Sequence, residues 1–301
     1  MEIFVGKTAG FCYGVERAVN GAKEEIRKNK EQIYCLGEIV HNKQVIQSLE
    51  KAGIKFIEQI EESKGKTIIR AHGISKKIEE KAKKIGIKLL DYTCPNVLKI
   101  HEMAEEYSKN GYYIFLLGNA NHPENIGTIS YCGKKYDVIE NENEVYRALK
   151  NFEKSKIKKL LIISQTTYSL EKFYIIEEII KNELPKNIQI EIRNTICKAT
   201  ELRQKETQEL SKKVDYMIII GGKNSSNTKK LYEIAKQNCD NTICVETSEE
   251  INLEELEENF KIGIMAGAST PKESIEEVVD KLCHWGRVFL AHDKKLSTET
   301  S

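Results

Sequence analysis

The sequence has no long apolar segment and almost no net charge. Its longest apolar runs, at residues 112–117 and 216–220, are far shorter than the roughly 20 residues that a membrane-spanning helix requires. The 47 Lys and Arg residues balance 46 Asp and Glu residues, which leaves a formal net charge of +1. Such a chain has no overall field that would attract a nucleic acid or an anionic membrane, so we expect neither partner.

The first residues lack the features of a secretory signal. The chain begins MEIFVG, with no basic segment and too little apolar sequence after it. We therefore expect a cytoplasmic protein whose cysteines are reduced.

The eight cysteines include no C-x-x-C pair. Structural zinc sites and ordinary ferredoxin clusters, which are usually built on such pairs, are therefore disfavoured. A disulfide framework is typical of short secreted chains rather than a chain of 301 residues. Because free cysteine is among the most buried residue types, we expect most of the eight to pack as small apolar side chains.

Short β-rich runs alternate with longer charged runs of helical period. Strands are predicted at residues 3–5, 33–36, 66–70, 88–91, 112–117, 159–164, 188–193, 216–220 and 261–265. Helices are predicted at residues 15–29, 76–85, 97–110, 170–182, 198–213, 227–238 and 271–285. This alternation predicts an α/β fold of βαβ units with mainly parallel sheets, and the length indicates two or three domains.

Three cysteines lie between a predicted strand and a predicted helix. Cys12, Cys94 and Cys197 are 82 and 103 residues apart, the spacing of three α/β units of similar size. Each would lie at the carboxyl end of a strand, where open α/β sheets bind their ligands, and at a helix N-terminus, which stabilises a thiolate. Three convergent metal ligands and three separately buried thiols are both compatible with this pattern.

Six other strand-to-helix corners carry unusual polar residues. They are residues 38–42 (EIVHN), 70–75 (RAHGIS), 118–125 (GNANHPEN), 164–167 (SQTT), 221–227 (GGKNSSN) and 266–271 (AGASTP). Helix capping would account for any one corner, but residues 221–227 hold more hydroxyl and amide groups than a cap requires. Such corners suit phosphate oxygens, and none matches a P-loop or a dinucleotide fingerprint. A diphosphate held by histidines and hydroxyls fits better than ATP or NAD.

Taken in order, these motifs resemble the LytB (IspH) family, the 4-hydroxy-3-methylbut-2-enyl diphosphate reductases. The resemblance covers about residues 3–282. It is carried by GFCYGV (10–15), EIVHN (38–42), AHG (71–73), TCP (93–95), HPE (122–124), QTT (165–167), ICKAT (196–200), GKNSSN (222–227) and AGAS (266–269). Two departures, Thr8-Ala9 in place of Pro-Arg and Arg70 in place of a small residue, affect no residue with an expected chemical role.

The resemblance implies a trefoil of three similar α/β domains, with mainly parallel sheets, around a central iron–sulfur cluster. The first domain would span residues 1–95 with Cys12, His41, His72 and Cys94 at its junctions. The second would span residues 96–194 and the third residues 195–285, followed by a C-terminal tail at 286–301.

The resemblance also implies the chemistry. Cys12, Cys94 and Cys197 would bind one 4Fe–4S cluster whose fourth iron stays open to the substrate hydroxyl. Reductive dehydroxylation would then give isopentenyl and dimethylallyl diphosphate, the last step of the non-mevalonate pathway. The electrons would come from a ferredoxin or flavodoxin, because the sequence has no flavin or nicotinamide motif.

The resemblance assigns roles to the polar corners as well. Glu124 would donate a proton to the leaving hydroxyl, Thr166 would orient it, and nearby negative charge would raise the pKa of Glu124. The residues expected to hold the diphosphate are His41, His72, His122, Ser225, Ser226, Asn227 and Ser269.

Two alternatives stay open, and the second belongs to a different functional class. The first is another three-cysteine 4Fe–4S enzyme of trefoil fold, such as a quinolinate-synthase-like dehydratase. Its substrate carries carboxylates, for which arginines would be expected, whereas Ser225, Ser226, Asn227 and Ser269 favour a diphosphate. The second is a non-catalytic zinc or nucleic-acid-binding protein. It is disfavoured by the net charge near zero and by the lack of C-x-x-C pairs.

Overall fold

A computed structural model describes residues 1–29, 31–257, 259–285 and 289–290. Within these residues the strands are β1 Glu2–Val5, β2 Ile33–Leu36, β3 Ile54–Ile57, β4 Thr67–Ile69, β5 Leu89–Asp91, β6 Tyr113–Leu117, β7 Tyr136–Ile139, β8 Lys159–Ser164, β9 Gln189–Ile192, β10 Tyr216–Ile220, β11 Thr242–Val245, β12 Lys261–Ala266 and β13 Phe289–Leu290. The helices are α1 Tyr13–Lys28, α2 Lys43–Lys51, α3 Lys76–Lys84, α4 Pro95–Lys109, α5 Pro123–Ile129, α6 Val145–Ser155, α7 Leu170–Glu183, α8 Lys198–Ser211, α9 Ser226–Lys236 and α10 Lys272–Trp285.

The strands form three sheets in which each described pairing is parallel. The orders are β3-β2-β4-β5 in the first sheet, β7-β6-β8-β9 in the second and β11-β10-β12-β1-β13 in the third. The predicted α/β class with mainly parallel sheets is therefore confirmed. Each predicted strand and helix is also confirmed, to within a few residues at its ends.

The three sheets share one strand order. In each sheet two central strands lie side by side, β2 with β4, β6 with β8, and β10 with β12. From the first central strand the chain moves outward to an edge strand, and then returns to the second central strand on the other side. The direction of winding therefore reverses between the two central strands, which is where open α/β sheets form their ligand crevice.

The fourth strand of the third sheet comes from the opposite end of the chain. Strands β5 and β9 follow their own central strands in sequence, but the equivalent position beside β12 is taken by β1. The chain divides into two compact units, one with residues 1–12, 41–43 and 198 onward, the other with residues 13–40 and 44–197. The division at 1–95, 96–194 and 195–285 stays a prediction. The predicted tail at 286–301 lies outside the described residues except for β13.

The central strands of the second and third sheets are almost completely buried. Strands β6 and β10 are buried at every position, and β8 and β12 are exposed only at their first residue. Helices cover both faces of a parallel sheet, so its central strands read as continuous apolar runs rather than alternating ones. Within the described residues, no helix combines the length and the apolar character needed to cross a membrane.

Candidate active site

The three junction cysteines are in equivalent positions. Helices α1, α4 and α8 begin at the residue after Cys12, Cys94 and Cys197, which confirms the predicted strand–cysteine–helix junctions. In each case the cysteine N–H donates to a carbonyl in the corner that follows the neighbouring central strand. The acceptors and N···O distances are Ala268 for Cys12 (3.2 Å), Ala71 for Cys94 (2.9 Å) and Thr166 for Cys197 (3.0 Å).

Burial separates these cysteines from most of the others. Cys12, Cys94 and Cys197 are partly exposed, whereas Cys35 and Cys132 are buried. Burial raises the pKa of both Cys35 and Cys132 to about 12. A thiol must lose its proton to bind a metal, so these two thiols are poor ligands. Burial also raises the thiol pKa of Cys239 and Cys244.

Two residues with no role expected from the sequence, Gly14 and Asn96, contact the junction thiols. A Cβ atom added at Gly14 would lie 2.6 Å from the Sγ of Cys94, so glycine lets the first turn of α1 approach that sulfur closely. The Asn96 amide donates from Nδ2 to the Sγ of Cys197 over 3.1 Å. Hydrogen bonds to cysteine sulfur stabilise the thiolate and tune the potential of a bound cluster.

Glu124 carries a buried carboxyl group that is hydrogen-bonded to Thr166. It lies in the first turn of α5 and is 2% exposed. The Thr166 N–H donates to Oε1 over 2.6 Å, and the Thr166 hydroxyl lies 2.6 Å from Oε2. Burial raises the pKa of Glu124 to about 7, against the opposing effect of the two hydrogen bonds. The raised pKa was expected from nearby negative charge, but in this structure its cause is removal of the carboxyl from water.

Two of the histidines lie at the start of the same helix. His122 caps α5, and its Nδ1 accepts the Glu124 N–H over 3.2 Å. An accepting Nδ1 places the proton of the neutral ring on Nε2. The His72 ring packs edge-on against the His122 ring, with centroids 5.4 Å apart. His72, His122, Glu124 and Thr166 therefore lie close together, and their roles stay predictions.

Two buried amides, which lie in polar corners of the sequence but had no expected role of their own, support this group. The Asn125 amide donates from Nδ2 to the Asn119 carbonyl over 2.7 Å and to Oε1 of Gln165 over 3.1 Å. Both side chains are buried. Asn125 follows Glu124 and Gln165 precedes Thr166, so this bond ties together the two backbones that carry the carboxyl and its partner. The only sequence signal was their position beside those residues.

The third sheet carries its own polar corner at the start of α9. The Ser225 hydroxyl caps the helix by accepting the Thr228 N–H over 3.3 Å. Asn227 is 3% exposed, and neither Oδ1 nor Nδ2 has a hydrogen-bond partner among the described residues. Buried amides are normally paired, so this one points to a polar ligand at the helix N-terminus.

His41 lies in the compact unit that contains this corner, although it follows β2 in the chain. The Ser269 hydroxyl donates to the His41 carbonyl over 3.3 Å. A Cβ atom at Gly222 would lie 2.3 Å from the same carbonyl oxygen, so only glycine allows this approach. His41, Ser225, Asn227 and Ser269 thus belong to one compact unit, in which Ser226 is the first residue of α9.

Comparison with known proteins identifies the same family that the sequence motifs resemble. A family model described as LytB protein matches residues 3–283. A curated relative from Caldanaerobacter subterraneus subsp. tengcongensis, named 4-hydroxy-3-methylbut-2-enyl diphosphate reductase, is 44% identical over 94% of this chain and 96% of its own length. A relative of the same name from Aquifex aeolicus is 41% identical, with coverage of 94% and 96%.

Solved structures are similar as well. A structure described as (E)-4-hydroxy-3-methyl-but-2-enyl diphosphate reductase, the terminal enzyme of the non-mevalonate pathway, is 40% identical with a TM-score of 0.69. It covers 94% of this chain and 99% of the solved chain. The E-1-hydroxy-2-methyl-but-2-enyl-4-diphosphate reductase of Plasmodium falciparum is 31% identical with a TM-score of 0.85, and covers 99% and 94%.

Proposed function

The chain belongs to the LytB protein family, and on that basis we propose that it reduces 4-hydroxy-3-methylbut-2-enyl diphosphate. Two electrons and two protons replace the allylic C–O bond by a C–H bond and release the hydroxyl as water. The products are isopentenyl and dimethylallyl diphosphate. The observation that carries this proposal is 44% identity to a reductase of that name over 94% of the chain.

We propose that Cys12, Cys94 and Cys197 bind a 4Fe–4S cluster whose fourth iron has no protein ligand. The burial of the cysteines supports this assignment. The three thiols are partly exposed at equivalent helix starts, whereas Cys35 and Cys132 are buried and their thiol pKa is raised. A cluster bound there supplies electrons to the substrate and an open iron as a Lewis acid.

The polar corners suit the diphosphate group. Serine hydroxyls, the unpaired Asn227 amide and the N-terminus of α9 all offer hydrogen-bond donors or positive dipole to anionic oxygens. We assign the diphosphate to the expected set, His41, His72, His122, Ser225, Ser226, Asn227 and Ser269. No arginine is needed, which distinguishes this set from one built for carboxylates.

Glu124 is assigned as the proton donor. With a pKa raised to about 7, the carboxyl keeps a substantial protonated fraction at neutral pH. Thr166 donates to Oε1 from its N–H and to Oε2 from its hydroxyl, so it holds the carboxyl group in one orientation. The electron donor is assigned to the ferredoxin or flavodoxin class, and the cytoplasmic location stays a prediction.

Turnover of the hydroxylated allylic diphosphate tests this function. Protein purified without oxygen is supplied with dithionite and a viologen mediator, and the two product diphosphates are separated by chromatography after dephosphorylation. We expect both products to form. Protein that carries a complete cluster but releases neither product would contradict the assignment and favour the quinolinate-synthase-like alternative, which the same preparation can test with that enzyme's substrates.

A further inference from the structure

The segment between β1 and Cys12 is held by two side chains of a distant helix. Glu206 on α8 accepts the N–H of Lys7 over 2.7 Å and the N–H of Thr8 over 2.8 Å. The Thr8 hydroxyl also donates to the Glu206 carboxylate. One carboxylate therefore accepts hydrogen bonds from the backbone N–H groups of two successive residues.

Arg203, one turn earlier on α8, donates hydrogen bonds to backbone carbonyls of the same segment. Its Nε donates to the Thr8 carbonyl over 2.8 Å, and Nη2 donates to the Gly10 carbonyl over 2.9 Å. Nη1 donates to the Ala199 carbonyl on its own helix over 3.1 Å. The side chain is 3% exposed, and its charge-assisted bond to the Gly10 carbonyl is buried, whereas the bonds to Thr8 and Ala199 are partly buried.

Cys12 needs such support more than the other two junction cysteines. Six residues (6–11) separate it from β1, whereas two residues (92–93) separate Cys94 from β5 and four (193–196) separate Cys197 from β9. The longer connection also includes Gly10 at φ +99, a conformation that glycine adopts easily. Without contacts from outside, a segment of this length would leave the thiol in several positions.

We propose that Arg203 and Glu206 act as positioning residues for Cys12. The two side chains, which we call the α8 clamp, bind the N–H groups of Lys7 and Thr8 and the carbonyls of Thr8 and Gly10, and thereby hold the Cys12 thiol where it binds the cluster. This inference rests on the proposed function for its purpose. Its structural part, the immobilisation of Cys12, holds for the protein without any cluster.

Thiol reactivity in the metal-free protein tests the immobilisation. The rate of alkylation at Cys12, Cys94 and Cys197 is measured by peptide mapping in the wild type, Arg203→Met and Glu206→Gln. We expect Cys12 to react on the order of tenfold faster in Arg203→Met, because the carbonyls of Thr8 and Gly10 each lose a charge-assisted hydrogen bond. Glu206→Gln keeps one acceptor oxygen and should give a smaller increase.

The same helix provides a matched control. Lys205 and Glu201 form an exposed pair with 2.8 Å between Nζ and Oε1, and neither is part of the clamp. Lys205→Met should leave the Cys12 rate unchanged. An unchanged Cys12 rate in both clamp variants would overturn the proposal, as would an equal acceleration of all three thiols, which indicates general loosening of the fold.

Cluster retention then tests the purpose. After anaerobic reconstitution, Arg203→Met should lose iron to a chelator several-fold faster than the wild type. Arg203→Lys should recover part of the difference, because lysine keeps the positive charge but lacks the several N–H donors of the planar guanidinium group. Equal iron loss in the wild type and Arg203→Met would overturn the link to the cluster. A wild type that takes up no iron refutes the proposed function, whereas the alkylation rates still decide whether the clamp holds Cys12.

Discussion

Glu124 shows how the surroundings of one residue set its chemistry. An exposed glutamate is ionised at neutral pH, but this carboxyl is 2% exposed and burial raises its pKa to about 7. Thr166 provides two hydrogen bonds that oppose this shift without cancelling it. The side chain can therefore both hold a proton near neutral pH and release it.

Replacement of Glu124 by Gln should remove the acid and keep the shape. The amide oxygen can still accept the Thr166 N–H, and the amide nitrogen can donate to the Thr166 hydroxyl. We expect kcat to fall by about 10²- to 10⁴-fold, the usual contribution of a general acid. In the wild type, kcat should decline as pH rises through about 7. Normal turnover by Glu124→Gln would refute the proton-donor assignment.

The same carboxyl makes stability depend on pH. Its pKa is raised from 4.5 to about 7 in the folded state, so between these values the unfolded state loses the proton while the folded state keeps it. The contribution of this carboxyl to the free energy of unfolding should therefore fall as pH rises from about 4.5 to about 7, and stay constant above. In thermal melts of the metal-free protein, the stability of Glu124→Gln relative to the wild type should increase as pH rises across this range. A constant difference between the two would contradict the raised pKa.

Replacement of single junction cysteines tests whether they bind iron. Serine at position 12, 94 or 197 should each lower the iron content of protein purified without oxygen, because the hydroxyl is a much weaker iron ligand. Cys35→Ser and Cys239→Ser are matched controls in buried positions, and both should keep the wild-type iron content. Loss of iron in the controls, or none in the three junction variants, would contradict the ligand assignment.

Helix starts are the elements that build the candidate site. Each junction cysteine precedes a helix, His122 caps α5, and Ser225 caps α9. At these positions backbone N–H groups have no partner within the helix, so they are available to an anion. Helices α5 and α9 begin after the central strands β6 and β10, where the winding of their sheets reverses. The three helices that follow the cysteines begin after β1, β5 and β9, each of which pairs with a central strand.

The start of α9 provides a test that separates binding from stability. Asn227 has no partner among the described residues, so its replacement by Ala removes a polar group that costs free energy when buried. We expect KM for the diphosphate substrate to rise about tenfold or more, with little change in melting temperature when substrate is absent. Asn125→Ala is the control with the opposite stability effect, because it breaks two hydrogen bonds. A clear loss of stability in Asn227→Ala, with KM unchanged, would contradict a ligand role.

The elements differ in how well the sequence predicts them. The central strands β6, β8, β10 and β12 are continuous apolar runs because both of their faces are buried, and they were predicted. The predicted strands do not include the edge strands β3, β7, β11 and β13, and the predicted helices do not include α2, α5 and α6. Strand β7 has only one fully buried residue, so its sequence carries little periodic signal.

At the scale of the whole molecule, one arrangement of four strands occurs three times. The third occurrence uses β1 as its last strand, and Cys12 follows it as Cys94 follows β5 and Cys197 follows β9. The sequence predicted the three junctions, because each depends on residues close in the chain. It could not predict that β1 pairs with β12, because backbone hydrogen bonds between residues 2–5 and 261–264 leave no local pattern.

The same limit applies to the site. The motif residues were predicted from local segments and a family resemblance, whereas the α8 clamp and the Asn125–Gln165 bond depend on contacts across the fold. Arg203 and Glu206 lie in a charged helical run, where the sequence alone indicates solvent-exposed residues.

Iron content tests the central claim most directly. Protein purified and kept without oxygen is analysed for iron, acid-labile sulfide and visible absorption, beside a variant with Cys12, Cys94 and Cys197 all replaced by Ser. We predict a brown wild type with about four irons per chain, or about three where the iron without a protein ligand has been lost, and a colourless variant. A colourless, iron-free wild type that stays so after anaerobic reconstitution would contradict the account.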